Sequence, residues 1–109
     1  MAFEHLSTTD QEIVLRCMRA ASAHIEDWEK HTRLGLRSGD LQRVIQQWPH
    51  IDDDEQTAFL AINNCMNEVC NGFHIPAAEW SRWFDCNREQ IEDLYRRWLS
   101  LKGVSGGIR

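Results

Sequence analysis

Four cysteines and five histidines are the side chains of this chain best suited to chemistry, as metal ligands or nucleophiles. A structural zinc site needs four thiolates or imidazoles, usually delivered in close pairs such as Cys-x-x-Cys. Cys17, Cys65, Cys70 and Cys86 contain no such pair. His24 and His31 stand seven apart and Cys70 and His74 four apart, with no tight cluster to complete a ligand set. His24 and His74 read instead as helix-end residues that can bond terminal carbonyls. Cys86 lies near a helix start, where a thiol pKa falls, but its place in the apolar pattern favours packing. The run Asp52, Asp53, Asp54 and Glu55 lacks the alternating oxygens and the glycine of an EF-hand loop and reads as a solvated helix cap. There is no Gly-rich phosphate loop, no GxSxG and no HExxH. The expectation is therefore no catalytic residue, no metal and no cofactor.

Which elements would position these residues follows from the apolar spacing, which is helical almost throughout. A first helix opens near positions 7–9, where Thr9 and Glu12 have capping-box spacing, and buries Ile13, Val14, Cys17, Met18 and Ala21. A short second helix covers 26–33 with Trp28 inward, and Gly35 can take the positive φ of a helix end. A third starts near Ser38, carries Leu41, Val44, Ile45 and Trp48 on one side, and stops at Pro49. One of Asp52, Asp53 and Asp54 caps the fourth, whose stripe is Phe59, Ile62, Met66 and Val69 beside Ala58 and Cys65. Asn71 and Gly72 end it. Pro76 suits the first turn of a fifth, which buries Trp80 with parts of Trp83 and Phe84. Asn87, with Gln90 three residues on, caps a sixth that turns Ile91, Leu94, Tyr95, Trp98 and Leu101 inward before Gly103. Residues 104–109 read as a flexible tail. The fold class is all-α, a bundle of about six helices in one domain over 1–103.

The halves echo one another. Leu34, Leu36, Leu41, Val44, Ile45 and Trp48 match Phe84, Cys86, Ile91, Leu94, Tyr95 and Trp98, each fifty positions later. His24-Ile25 matches His74-Ile75 at the same offset, and Cys17-Met18 matches Cys65-Met66 at forty-eight. The expectation is two pseudo-repeated three-helix units, about 7–50 and 52–103, sharing a core of aromatic contacts. Asn63, inside the fourth helix with Asn64 and Asn67, reads as a hydrogen-bonding anchor between them.

The stretch "LGLRSGDLQRVI" resembles the second half of many bacterial helix-turn-helix motifs. It has apolar, Gly, apolar at the turn and then inward residues at Leu41, Val44 and Ile45. The resemblance covers about twenty residues per unit and implies geometry rather than contacts. If it extended to DNA, the readers on the third helix would be Arg37, Gln42, Arg43, Gln46 and Gln47. Arg88, Arg96 and Arg97 would serve on the sixth.

Electrostatics argue against that use. The net charge of −5 disfavours phosphate backbones, and in the sixth helix Glu89, Glu92 and Asp93 cancel the three arginines. An acidic surface made of Asp52, Asp53, Asp54, Glu55, Glu26, Asp27 and Glu29 suits a basic protein partner better. No apolar run approaches the ~18 residues of a membrane span. The start, "MAFEHLSTTD", lacks a basic region followed by an apolar one, so a cytoplasmic chain with reduced thiols is expected. The reading that results is a small non-enzymatic regulatory or interaction protein with a macromolecular partner, a protein first and nucleic acid second, and a homodimer is compatible with it.

Overall fold

The structure, a computed structural model, describes residues 5–37 and 39–103. Six helices follow in order: α1 (Thr8–His24), α2 (Asp27–Leu34), α3 (Asp40–Gln47), α4 (Gln56–Asn71), α5 (Ala77–Trp83) and α6 (Arg88–Leu101). There is no strand among the described residues. The all-α bundle expected from periodicity is what forms.

The two long apolar helices, α1 and α4, pack on each other and form the spine. Their inward faces are uncharged: Val14, Cys17, Met18 and Ala21 meet Ala61, Ile62, Cys65, Met66 and Val69, all buried. α3 rests on α1 and α4, and α6 on α4. The middle helices cross over: α2 of the first half lies on α4, and α5 of the second half lies on α1.

Helix ends follow local chemistry. At α6, the Asn87 side chain accepts from the Gln90 amide (2.9 Å) and the Gln90 side chain accepts from the Asn87 amide (2.9 Å), the reciprocal box its sequence predicts. At α1 the expected box of Thr9 and Glu12 is not formed. Ser7 caps instead, its hydroxyl accepting from Asp10 N–H at 3.0 Å, because Leu6 is buried and the chain turns into the helix directly after it. α4 is capped by Glu55, whose carboxylate accepts from Ala58 N–H at 2.9 Å, and not by one of the three aspartates. Gly35 ends α2 at φ +67°. α3 begins after Gly39 at φ +87°; Ser38 and the tail at 104–109 lie outside the described residues.

Three core expectations need correction. Trp28 is 79% exposed. Leu101 is 46% exposed and Leu99 takes its inward place, since α6 ends there and its last turn lies beyond the spine. Trp48 lies after α3, joined to Pro49 by a cis peptide bond, and is half-buried with its Nε1–H donating to Gln11 O (3.1 Å). Trp98, by contrast, sits inside α6 and is wholly buried against Phe59. The four cysteines are free thiols.

Asn63 and Asn64 form a hydrogen-bonded chain across the bundle. Tyr95 Oη donates to Asn63 Oδ1 (2.8 Å), Asn63 Nδ2 to Asn64 Oδ1 (2.8 Å), and Asn64 Nδ2 to Leu34 O (2.8 Å). It ties α6 through α4 to the end of α2. Buried amides in a helix interior are tolerated when so satisfied.

Candidate functional site

The acidic residues divide into two groups with different surroundings. α2 touches α4 at Asn64, through Leu34 O, and at Glu68, through Arg33. Those positions lie about two to three turns into α4, whereas Asp52, Asp53, Asp54 and Glu55 precede its first turn. The seven acids that the sequence groups as one surface thus fall into two groups by what surrounds them.

In the first, α2 is oriented by Lys30. Its ammonium donates to Ile25 O (2.8 Å) and Ser22 O (3.4 Å), carbonyls at the end of α1, and pairs with Asp27 (2.7 Å). Cations suit a helix C-terminus, so Lys30 turns under with Leu34, four residues on and on the same face. Trp28, two residues before Lys30, is about 200° round the helix and must point away. The outward surface of α2 thus carries Glu26, Asp27, Trp28, His31 and Thr32, with Glu29 half-buried beside them. The Arg33–Glu68 ion pair, the Asn64 bond to Leu34 O and Leu60 beneath Gly35 hold it on α4. An indole this exposed on a rigidly seated helix is uncommon, and tryptophan is the residue type most enriched at binding hot spots.

In the second group the acids face inward. Asp53 is wholly buried. Its Oδ2 accepts from Trp98 Nε1–H (3.1 Å), its Oδ1 lies 3.6 Å from Lys102 Nζ, and its carbonyl accepts from the same ammonium (2.9 Å). Asp54 pairs with Lys102, which holds its carboxyl below the usual range. Asp52 accepts from Asp54 N–H (2.9 Å). The amide of Ala58 holds the Glu55 carboxyl down in the same way. The three aspartates offer oxygens within 4.8 Å of one another, and two of them, Asp53 and Asp54, already face the Lys102 ammonium. Asp53 is thus not a solvated cap residue, as expected from sequence, but an internal partner of α6.

The residues that would read DNA are also placed differently from one another. Arg37, Arg43, Gln46, Gln47 and Arg96 are exposed. Gln42 donates to Ser22 Oγ (2.8 Å), Arg97 is shared between Asp10 and Asp93 (2.9 Å each), and Arg88 donates to Val69 O. Three of the eight are thus engaged within the chain.

Among the histidines, His24 does bond a carbonyl of its own helix, with Nδ1 2.8 Å from Ala20 O, and its ring stacks on Phe73. His74 is exposed. Burial pushes the Cys17 and Cys65 thiols up, and that of Cys70 up to about 11, so they stay protonated at neutral pH. A groove of about 680 Å³ between α5 and α6, lined by Ile75, Ala77, Trp80, Cys86 and Arg88 among others, was not foreseen. Nor was the exposure of Trp28; the signal for it was the i, i+4 pair Lys30 and Leu34, which leaves no room for Trp28 on the inward face.

Compared with family models, with curated proteins and with solved structures, the chain matches none. No helix among the described residues is long and apolar enough to cross a membrane.

Proposed function

We propose that this chain is a non-enzymatic interaction protein of the cytoplasm that docks a basic surface of another protein through the outward face of α2. The observation that carries this reading is Trp28, 79% exposed and flanked by Glu26, Asp27 and Glu29. An aromatic anchor gives contact area at low entropic cost, and a rim of carboxylates steers a cationic partner and raises the association rate. A second copy of the chain is one partner this reading admits. The reciprocal crossing of α2 and α5 over the spine supports treating the halves as a pseudo-repeat.

Capture from native lysate by the immobilised chain tests it, with Trp28→Ala and the pair Glu26→Lys with Glu29→Lys alongside and a nuclease-treated arm. A protein retained by the wild type, lost with Trp28→Ala and indifferent to nuclease is the expected result. Retention unchanged by Trp28→Ala overturns the α2 assignment. Salt-sensitive retention of duplex DNA, weakened by Arg43→Ala, would put the helix-turn-helix use in its place.

A further inference from the structure

Among the described residues, five lysine and arginine side chains are half-buried or buried: Arg16, Lys30, Arg33, Arg88 and Lys102. Four have a carboxylate: Arg16 has Glu12 and Asp85, Lys30 has Asp27, Arg33 has Glu68, and Lys102 has Asp53 and Asp54. Arg88 has none within ion-pair distance among the described residues. One of its N–H groups donates to Val69 O, and its guanidinium carbon lies 4.9 Å from the centre of the Trp80 ring. A guanidinium has five donors in a fixed fork, so most of its hydrogen-bonding capacity is left over.

Arg88 also lines the groove between α5 and α6, of about 680 Å³. That volume is within the range of small-molecule sites. Its wall is mainly apolar, with Ile75, Ala77, Trp80 and Cys86 beside the polar His74, Asn87 and Gln90. Trp80 is fixed from both sides, donating Nε1–H to Cys86 O (2.6 Å) and packing at 4.6 Å on Phe84. The one acid on the wall, Asp85, is engaged by Arg16 (3.3 Å). The groove therefore offers an apolar wall beside one positive group, seated over the Trp80 ring, that lacks a carboxylate partner among the described residues.

We infer that the α5–α6 groove is a binding site for a small flat carboxylate, its apolar body lying against Trp80 and its anionic group received by Arg88. Planar bidentate recognition of this kind is what arginine does better than lysine. The site is separate from the α2 face and does not depend on it.

The test uses 2-naphthoate as probe and its uncharged twin, 2-naphthalenemethanol, titrated into ¹⁵N-labelled full-length chain. The expected result is that the acid binds about tenfold more tightly than the alcohol, with shifts at the Trp80 indole, Cys86 and Arg88. Arg88→Gln should bind the alcohol as the wild type does and lose the preference for the acid, and Arg88→Lys should keep part of it. Alcohol binding shows that the groove survives in each variant. Equal affinity for the two probes, binding of neither, shifts mapped elsewhere, or a preference that persists in Arg88→Gln would each overturn the assignment.

Discussion

Asp53 and Asp27 both sit in short acidic runs next to a helix start, yet the side chain of Asp53 is fully buried and that of Asp27 is 94% exposed. Each run also has a tryptophan. Trp98 is drawn inside by its bond to Asp53, and Trp28 is turned outward by the inward reach of Lys30. The difference lies in where the nearest lysine is needed. Lys102 comes to the acids at 52–55 and closes the end of α6 onto the start of α4. Lys30 goes to the carbonyls that end α1 and leaves most of the acidic edge of α2 to water. A buried ionic group must be fully satisfied to be tolerated, and removing one partner costs more than the pair contributes. An exposed one contributes little to stability.

Substitutions should separate the two regions, beginning with the buried one. Trp98→Ala should cost about 3–5 kcal/mol by urea denaturation, the range for deleting a buried aromatic. Asp53→Ala should cost roughly 3 kcal/mol, because Lys102 and the Trp98 N–H lose their partner inside the protein. Adding Lys102→Met to Asp53→Ala should recover part of that loss, and strict additivity in the double-mutant cycle would show that the two side chains do not act as a unit.

Asp10→Asn probes an ion pair between these extremes. The Arg97 bond lowers the Asp10 carboxyl, so its contribution is present above the ordinary carboxylate pKa and is lost as pH falls through the lowered one. The variant should be less stable than the wild type by under about 1 kcal/mol at pH 7, and the two melting curves should converge in strong acid. A difference that grows on acidification would contradict the assigned pairing. Trp28→Ala should change stability by no more than about 0.5 kcal/mol while removing the docking proposed for α2. A large loss of stability would mean that the indole packs where the structure leaves it in water.

Legibility in the sequence followed the range of the interaction that decides each feature. The Asn87–Gln90 box, the stripe of α4 and the turn at Gly35 depend on residues within about one turn, and all are written in local spacing. The choice between Ser7 and Thr9 as cap is also local, but both spacings are valid and the burial of Leu6 selects between them. Asp53 was not legible, since its partners are Trp98 and Lys102, more than forty residues away. Trp28 was misplaced because a helix of two turns has too few apolar residues to fix its inward face. There the demand of α1's carbonyls for a cation outweighs the hydrophobicity of an indole. Arg88 looked like one charge among several on α6. Only the packing of α5 shows that it lines a mainly apolar wall whose one acid, Asp85, is engaged by Arg16.

The crossing of the middle helices has a consequence for how the chain can be divided. A break between Ile51 and Asp52 would separate α2 from the α4 surface it covers and α5 from its seat on α1. Each fragment would expose an apolar stripe that fits the other. The two pieces, mixed, should reassemble into the native arrangement, so the connection at that point serves more as a tether that raises local concentration than as part of the scaffold.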